Sequence, residues 1–381
     1  MYSVNALFTT LLLLILSATT AQAAPSIIPQ PPKLAATGYV LMDYQSGQIV
    51  ADSNANERLE PASLTKMMTA YVVSHELNSG HISLEDQVRV SEKAWRMPGS
   101  RMFIEVGTEV SVRELLKGLI IQSGNDASVA LAEHVAGSED SFVPLMNAHA
   151  ERLSLSGTHF ANSTGLPHPE HYTTARDMAL LAAAIIRDFP DHYEWYSEKS
   201  YTYNNITQGN RNLLLFRDES VDGLKTGHTE AAGFCLVASA ERDKMRLISV
   251  VMGTKSEKAR AQESQKLLNY GFRFYETHLL YSAGQELKEM RIWKGEAESL
   301  KLGLSDELYV TVPRGQYKSL NASLNVDKTI IAPASRGQTF GTVNIHLDDE
   351  LLAERPLVAL QDVPKGGVVQ LIKDNVLLLF Q

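Results

Sequence analysis

The chain of 381 residues is long enough for two domains, each with its own hydrophobic core. Its apolar fraction of 44% and charged fraction of 21% are typical of a globular protein and exclude extensive disorder. The net charge of −9 argues against nucleic acid as a partner, because nucleic-acid-binding domains are usually basic.

The first 23 residues have the pattern of a secretory signal peptide. An apolar run at residues 11–16 is followed by small residues that end with Ala21-Gln22-Ala23, which predicts cleavage near Ala23. A membrane helix is the alternative, although the run is shorter than the ~20 apolar residues that span a bilayer. Cys235 is the only cysteine, so the exported chain forms no internal disulfide, and its apolar surroundings predict a buried, unreactive thiol.

The next elements in chain order are a β-hairpin and a buried helix. A proline-containing lead-in covers residues 24–36, and β-prone segments at 39–44 and 48–51 flank a turn. A helix is predicted to begin near Ser63 and to end by Gly80, and its dense apolar content predicts burial on most sides.

The remainder of the first domain, which we place at residues 24–277, alternates helical and β-prone patterns. Residues 91–101 contain a Pro-Gly turn signal and are predicted to form a loop, either a lid or a plain connection. Helices are predicted at 112–122, 126–135, 175–187 and 259–274, and a second hairpin at 233–240 and 247–252. This order predicts an α+β fold in which the first and last strands join one antiparallel sheet and helices pack on it.

Two further units are predicted after the first domain. Residues 278–363 contain short β-prone runs separated by turns, which indicates a small all-β domain for spacing or binding. Residues 364–381 end in an amphipathic helical pattern that reaches only about 20 Å, too short to cross a bilayer of ~30 Å. We predict that this tail lies in the membrane surface, with packing on its own domain as the alternative.

The motif Ser63-Leu64-Thr65-Lys66 places an alcohol and an amine three residues apart at a helix start. Residues i and i+3 share a helix face, so the amine of Lys66 can reach the hydroxyl of Ser63. A serine hydroxyl is a weak nucleophile that needs an adjacent base, and a desolvated lysine can serve as that base. Such a pair also occurs by chance in many proteins, so it requires support from elsewhere in the chain.

Two more tripeptides supply that support. Ser123-Gly124-Asn125 lies at a break between two predicted helices, where a loop can present a hydroxyl and an amide to a cleft. Lys225-Thr226-Gly227, followed by His228, precedes a β-prone run, and its glycine removes a side chain that would block an approaching substrate backbone. The three motifs follow one another at spacings of about 60 and about 100 residues, which makes the combination specific.

These motifs resemble the signature of the penicillin-binding proteins and serine β-lactamases. Ser-Gly-Asn in place of Ser-Asp-Asn resembles the low-molecular-mass class C D-alanyl-D-alanine carboxypeptidases, and the small β-domain and amphipathic tail extend the resemblance over essentially the whole chain. The resemblance implies a β-lactamase/transpeptidase-like first domain. It also implies removal of the terminal D-alanine from peptidoglycan pentapeptide stems through an acyl-enzyme, with β-lactam antibiotics as covalent inhibitors.

The resemblance also implies a role for each motif residue. Ser63 would be the nucleophile, Lys66 its base and Ser123 a proton relay to the leaving amine, while Asn125 would bind the substrate amide. Backbone N–H groups of Ser63 and His228 would form the oxyanion hole. The remaining predicted substrate-binding residues are Lys225, Thr226, Gly227, Arg211 and Arg260, of which the two arginines could instead be solvated surface charges.

No metal or other cofactor is expected. His168 and His171 have a His-x-x-His spacing, but the sequence offers no evident third ligand and loop histidines are the simpler interpretation. Three alternative functions stay open: a D,D-endopeptidase that cleaves peptidoglycan cross-links, a β-lactamase, and an inactive wall-binding protein. The β-lactamase alternative is weakened because no Glu-x-x-Leu-Asn pattern occurs between Ser123 and Lys225. The expected location is the periplasmic face of the cytoplasmic membrane, as a peripheral protein.

Overall fold

The computed structural model describes residues 28–379, so the predicted signal peptide lies outside the described part of the chain. The strands of the first domain are β1 Gly38–Asp43, β2 Ile49–Ser53, β3 Gln87–Arg89, β4 Glu109–Ser111, β5 Ser200–Tyr203, β6 Ile206–Gly209, β7 Val221–Thr229, β8 Gly233–Arg242 and β9 Met245–Thr254. Its helices are α1 Lys66–Asn78, α2 Glu92–Trp95, α3 Val112–Lys117, α4 Asn125–Ala136, α5 Glu139–Arg152, α6 Ala175–Asp188, α7 Pro190–Tyr193 and α8 Glu257–Phe274.

The central sheet has the strand order β2-β1-β9-β8-β7 within residues 28–379. Strand β1 pairs antiparallel with β9, with Val40 opposite Val250, so the predicted closure by the first and last segments is confirmed. Successive residues of a strand point to opposite faces, and the two faces belong to different cores. Val40 lies in the core that contains residues of α1, α4 and α6, whereas Leu41 lies in the core that contains Leu267 and Leu268 of α8. The sheet is therefore a middle layer between two helical layers.

Helix α1 lies inside the larger helical layer, as its apolar density predicts. Nine of its thirteen residues are buried, among them Lys66. Helix α5 was missed by the sequence analysis because Pro144 and several polar residues interrupt its pattern, yet the helix continues through the proline. The predicted helices at 126–135, 175–187 and 259–274 correspond to α4, α6 and α8.

The second domain is rich in β-structure, as predicted. Its elements are β10 Tyr275–Tyr281, β11 Glu286–Trp293, β12 Ser299–Gly303, β13 Leu308–Pro313, β14 Leu320–Val326, β15 Ile330–Ile331, β16 Thr339–Leu347, β17 Glu350–Ala359 and the C-terminal helix α9 Val368–Leu378. Strand β10 follows α8 directly and pairs with β13, and a sheet of order β14-β16-β17-β12-β11-β15 forms the rest of the described domain. Residues such as Leu300, Val343 and Leu357 fill its core.

A buried carboxylate joins the two domains. Asp43, at the end of β1, is fully buried and accepts hydrogen bonds from the hydroxyls of Ser46 at 2.8 Å and Thr277 at 2.7 Å. The hydroxyl of Thr311 on β13 lies 2.6 Å from that of Ser46 and completes the network. Because both carboxylate oxygens accept hydrogen bonds, this junction buries polar groups that have partners.

Candidate active site

Ser63 lies in a tight turn that runs directly into α1. Residues Ala62–Thr65 form one turn of 3₁₀ helix, and Ala62 has a φ of +48°, a conformation that is strained for a residue with a side chain. The Lys66 amine lies 3.1 Å from the Ser63 hydroxyl in a hydrogen bond. The two residues therefore meet as predicted, although they lie on either side of the junction between 3₁₀ and α-helix.

The Lys66 amine is removed from water. Its side chain is fully buried, and burial together with the positive charge of Arg211 lowers the pKa of Lys66 to about 7, against the opposing influence of Asp126 and Glu139. A large share of the amine is therefore neutral near pH 7. A neutral amine in contact with a serine hydroxyl can accept its proton.

A backbone carbonyl missed by the sequence analysis aims the Lys66 amine. The amine donates a short hydrogen bond to the carbonyl oxygen of Thr164. The next residue, Gly165, has a φ of +85°, and a Cβ atom there would lie 1.8 Å from the carbonyl oxygen of Ala62. Glycine is required because this loop and the Ser63 turn approach each other so closely. A polar Asn-Ser-Thr-Gly segment at 162–165 was the available sequence signal of a tight turn.

Ser123 faces the cleft from a strained position. A π-helical turn, Gly118–Gln122, continues α3, and Ser123 ends it with a left-handed φ of +67°. Its hydroxyl accepts a hydrogen bond of 2.8 Å from the amine of Lys225, which also donates to the carbonyl of Thr226 at 3.1 Å. Burial, followed by repulsion from Lys66, lowers the pKa of Lys225 well below its usual value.

The loop after α2 lines one side of the cleft through Gly99 and Ser100, so residues 91–101 contribute to the site. The side-chain amide of Asn125 donates to the carbonyl of Pro98 at 2.6 Å. Asp126 is fully buried, and its carboxylate accepts the N–H groups of Met102 at 3.0 Å and Phe103 at 2.9 Å. Nothing in the three-motif signature identified Asp126, although an acid in the first turn of a helix is favoured by the helix dipole.

Strand β7 forms the opposite wall. Lys225 is buried beneath it, Thr226 is nearly buried, and His228 is exposed and stacks on Phe234 with ring centroids 3.9 Å apart. A Cβ atom on Gly227 would lie 3.0 Å from the carbonyl oxygen of Pro61. The prediction that Gly227 leaves room for a substrate backbone is therefore wrong, because its missing side chain makes room for the turn that carries Ser63.

The two predicted arginines lie at one end of the cleft and differ in burial. Arg211 is exposed, whereas Arg260 is 2% exposed and donates to the carbonyl of Gly227 at 3.2 Å. The Arg260 guanidinium also lies over the ring of Phe234 at 5.7 Å. A solvated surface charge is therefore wrong for Arg260, while Arg211 is an exposed cation on the cleft rim.

These elements enclose a cleft of about 350 Å³. Eight of the ten predicted site residues line it, namely Ser63, Ser123, Asn125, Arg211, Thr226, Gly227, His228 and Arg260. The other two, Lys66 and Lys225, lie directly beneath Ser63 and Ser123. The structure therefore brings all ten residues together, and the individual roles stay predictions.

The histidine pair divides into a buried and an exposed residue. His171 accepts a hydrogen bond from the N–H of Ala161 and lies 2.7 Å from the hydroxyl of Thr65. Burial lowers the pKa of His171 to about 4, so this imidazole is neutral and braces the helix that carries Lys66. His168 is exposed on the same loop.

A serine with a buried lysine as its neighbour, in a cleft between an all-helical region and a sheet edge, defines the class of serine acyl-transfer enzymes. A family model for D-alanyl-D-alanine carboxypeptidase matches residues 25–256, and a model for the C-terminal domain of penicillin-binding protein 5 matches residues 275–365. The chain belongs to the D-alanyl-D-alanine carboxypeptidase family of serine peptidases. The family, the fold class and the enzyme class predicted from the sequence are confirmed.

Three relatives document the similarity. The chain is 44% identical to D-alanyl-D-alanine carboxypeptidase DacA of Escherichia coli (strain K12) over 363 residues, which cover 93% of this chain and 90% of that protein. Penicillin-binding protein 5 of Haemophilus influenzae superposes with a TM-score of 0.85 at 45% identity, over 88% of this chain and all of that one. Penicillin-binding protein D2 of Listeria monocytogenes, solved in its ampicillin-bound form, has a TM-score of 0.59 at 28% identity, over 64% of this chain and 100% of that one.

Proposed function

We propose that this cleft removes the terminal D-alanine from peptidoglycan pentapeptide stems through an acyl-enzyme on Ser63. The observation that carries the proposal is the 3.1 Å contact between the Ser63 hydroxyl and a fully buried, partly neutral Lys66 amine. An activated alcohol of this kind attacks amide carbonyls. The family membership supports the choice of a D-alanyl-D-alanine amide as the substrate.

Acylation begins when Lys66 takes the Ser63 proton and the Ser63 oxygen attacks the carbonyl between the two D-alanines. The negative charge that develops on the carbonyl oxygen is stabilised by the backbone N–H groups of Ser63 and His228. In other enzymes one such donor contributes ~2.7–4 kcal/mol to the transition state. Both residues line the cleft, which supports this assignment.

Breakdown of the tetrahedral intermediate requires a proton on the leaving amine. Ser123 is suited to relay the proton from Lys66, because its hydroxyl already faces the cleft and bonds to Lys225. The Asn125 amide nitrogen is engaged by Pro98, so the Asn125 amide oxygen is the atom that a substrate N–H would meet. Water then hydrolyses the acyl-enzyme and frees Ser63.

The terminal carboxylate of the substrate is recognised at the arginine end of the cleft. Arg211 is exposed there and can form a two-point contact with a carboxylate, with the hydroxyl of Thr226 beside it. Arg260, buried behind them, adds positive charge and holds the carbonyl of Gly227. A substrate backbone would lie along the edge of β7, which is the last strand of the described sheet.

We further propose that β-lactam antibiotics acylate Ser63, and labelled penicillin provides the test. The purified chain should become covalently labelled, and Ser63→Ala should abolish both labelling and release of D-alanine from a pentapeptide. Persistent labelling of the Ser63→Ala variant would contradict the choice of nucleophile.

Incubation with cross-linked muropeptides in parallel distinguishes the carboxypeptidase from a D,D-endopeptidase, since only the latter cleaves the cross-link.

We also propose that the protein is exported and lies on the periplasmic face of the cytoplasmic membrane, held by α9. The described residues include no helix of sufficient length and hydrophobicity to cross a bilayer. Helix α9 turns its polar side to the β-domain, where Asp374 is buried and accepts from the N–H of Lys294. Its apolar side chains are exposed instead, with Val369 at 83% and Ile372 at 60%.

An exposed apolar helix face of this kind binds the interfacial region of a bilayer. The helix contacts its own domain through Asp374, and the exposed apolar face supports the proposal that α9 lies in the membrane surface. Truncation after Lys365 should release the protein from anionic phospholipid vesicles. Sedimentation of the truncated chain with vesicles as efficiently as the full chain would contradict this attachment.

A further inference from the structure

The loop that aims Lys66 is itself held from three sides. Ser163 and Thr164 are both buried, and the Thr164 carbonyl accepts from Lys66. The Ser163 carbonyl accepts from the hydroxyls of Thr69 on α1 and Ser128 on α4, each at 2.7 Å. The position of the Thr164 carbonyl therefore depends on the preceding peptide unit.

The third contact comes from a partly buried ion pair outside the cleft. One carboxylate oxygen of Glu139, in the first turn of α5, accepts from the N–H of Ser163 at 3.0 Å and from its hydroxyl at 2.8 Å. The other oxygen pairs with the Lys93 ammonium of α2 at 2.9 Å. Burial raises the pKa of Glu139, but the bonds from Lys93 and Ser163 outweigh it and lower that pKa overall, so Glu139 is ionised.

We propose that Glu139 is a positioning residue for the reaction, which holds the Ser163–Thr164 peptide against Lys66 and, together with Lys93, sets the local charge around the Lys66 amine. The inference deepens the proposed function, since it rests on Lys66 being the base. Glu139 does not line the cleft, so it acts on the reaction only through Ser163, Thr164 and Lys66.

The charges around Lys66 determine whether loss of the Glu139 charge favours the protonated or the neutral amine. Arg211 on the cleft rim is a cationic neighbour, and burial together with repulsion from Lys66 lowers the pKa of Lys225 on β7 well below its usual value. His171 from the loop is neutral because burial lowers its pKa to about 4. The anionic neighbours are Asp126 of α4 and Glu139 of α5, and both favour the protonated amine. Loss of the negative charge at Glu139 therefore favours the neutral amine.

Two nearly isosteric substitutions test the charge in opposite directions. Glu139→Gln keeps an oxygen that accepts from Ser163 but removes the charge, so the rise of the acylation rate with pH should move to lower pH. Lys93→Gln leaves the Glu139 carboxylate without its counter-ion, so the same rise should move to higher pH. The rate is measured with labelled penicillin between pH 5 and pH 9.

A third variant tests the geometry, and a matched pair on α8 supplies the control. Glu139→Ala removes both contacts to Ser163 and should lower the plateau acylation rate on the order of 100-fold, the cost of displacing a reacting group by about 1 Å. Glu263 and Lys266 form an ion pair of 2.8 Å with side-chain exposures of 7% and 45%, close to the 10% and 49% of Glu139 and Lys93. Glu263→Gln should leave the pH profile unchanged.

The outcomes separate this inference from the function on which it rests. Wild-type protein that is not labelled at Ser63 would contradict the proposed function. Normal labelling combined with profiles for Glu139→Gln and Lys93→Gln that do not move, or that move in the same direction, would overturn the role of Glu139. A purely structural role predicts that both variants lose thermal stability while the pH of half-maximal rate stays at the wild-type value.

Discussion

The amine of Lys225 lies 2.8 Å from the hydroxyl of Ser123, although 102 residues separate them in the chain. Both side chains are buried, and the contact joins strand β7 to the π-helical turn on the other side of the cleft. Because burial and the nearby Lys66 lower the pKa of Lys225, this lysine need not hold its proton, and Ser123 is placed to exchange one.

Removal of the Ser123 hydroxyl should slow the reaction and leave the fold intact. Ser123→Ala should slow D-alanine release ~10²–10⁴-fold, the usual contribution of a positioned proton-transfer group. Ser264→Ala, at a fully buried serine of α8, is the control and should keep near-normal activity. A Ser123→Ala variant with normal turnover would show that the proton reaches the leaving amine by another route.

The acylation rate should follow the protonation state of Lys66. The pKa of Lys66 is lowered to about 7, and only the neutral amine accepts the Ser63 proton, so the rate rises with pH through that value. Between pH 6 and pH 8 the neutral fraction grows about tenfold and then levels off. Stopped-flow labelling with penicillin measures the acylation rate at each pH. A rate that still rises tenfold per pH unit above pH 8 would mean that the lysine keeps its usual pKa of 10.5.

Gly165→Ala should damage the site more than the change of backbone preference alone explains. The added Cβ would lie 1.8 Å from the carbonyl oxygen of Ala62, so the turn that carries Ser63 must move. Gly137→Ala is the matched control, because Gly137 also has a positive φ, +77°, but no neighbour within 4 Å. We expect a loss of ~1–2 kcal/mol in the free energy of unfolding for the control, from the left-handed conformation alone.

For Gly165→Ala we expect a larger loss in urea unfolding and a fall in the penicillin acylation rate, since a displaced Ser63 is misaligned for attack. Equal stability of the two variants and an unchanged acylation rate at Ser63 would show that the loop yields without moving the turn.

Asp374→Ala should free helix α9 from the β-domain. Asp374 is fully buried and accepts from the N–H of Lys294, and Arg291 lies 3.5 Å away, so its loss removes the buried polar contacts between the helix and the β-domain. Faster amide hydrogen exchange in residues 368–378 is expected, with little change for Lys373→Ala, because the ion pair of Lys373 with Glu298 is solvent-exposed. Vesicle binding should survive, because the apolar face is intact. Unchanged exchange in α9 would show that other contacts hold the helix.

Much of the fold follows from local patterns. The continuous apolar, β-prone runs of β1 and β9 and the apolar density of α1 identify these elements, because residue type and apolar content are properties of a short segment. The sequence did not predict helix α5, because Pro144 interrupts the helical pattern. In the structure the helix packs against α1 and α4 and continues through the proline. The sequence did not predict strands β14 and β17, because many of their side chains are exposed and their sequences show no regular spacing of apolar residues.

The chemistry of the site divides in the same way. Three short motifs predict the site residues Ser63, Lys66, Ser123 and Lys225. The pair Ser63 and Lys66 is recognised locally, since the serine alcohol needs a base within one helical turn. The Thr164 carbonyl, the bonds from Met102 and Phe103 to Asp126, and the Glu139 contact carry no such signature. They depend on segments that fold together from distant parts of the chain, where burial sets the pKa of Lys66 and close packing demands Gly165.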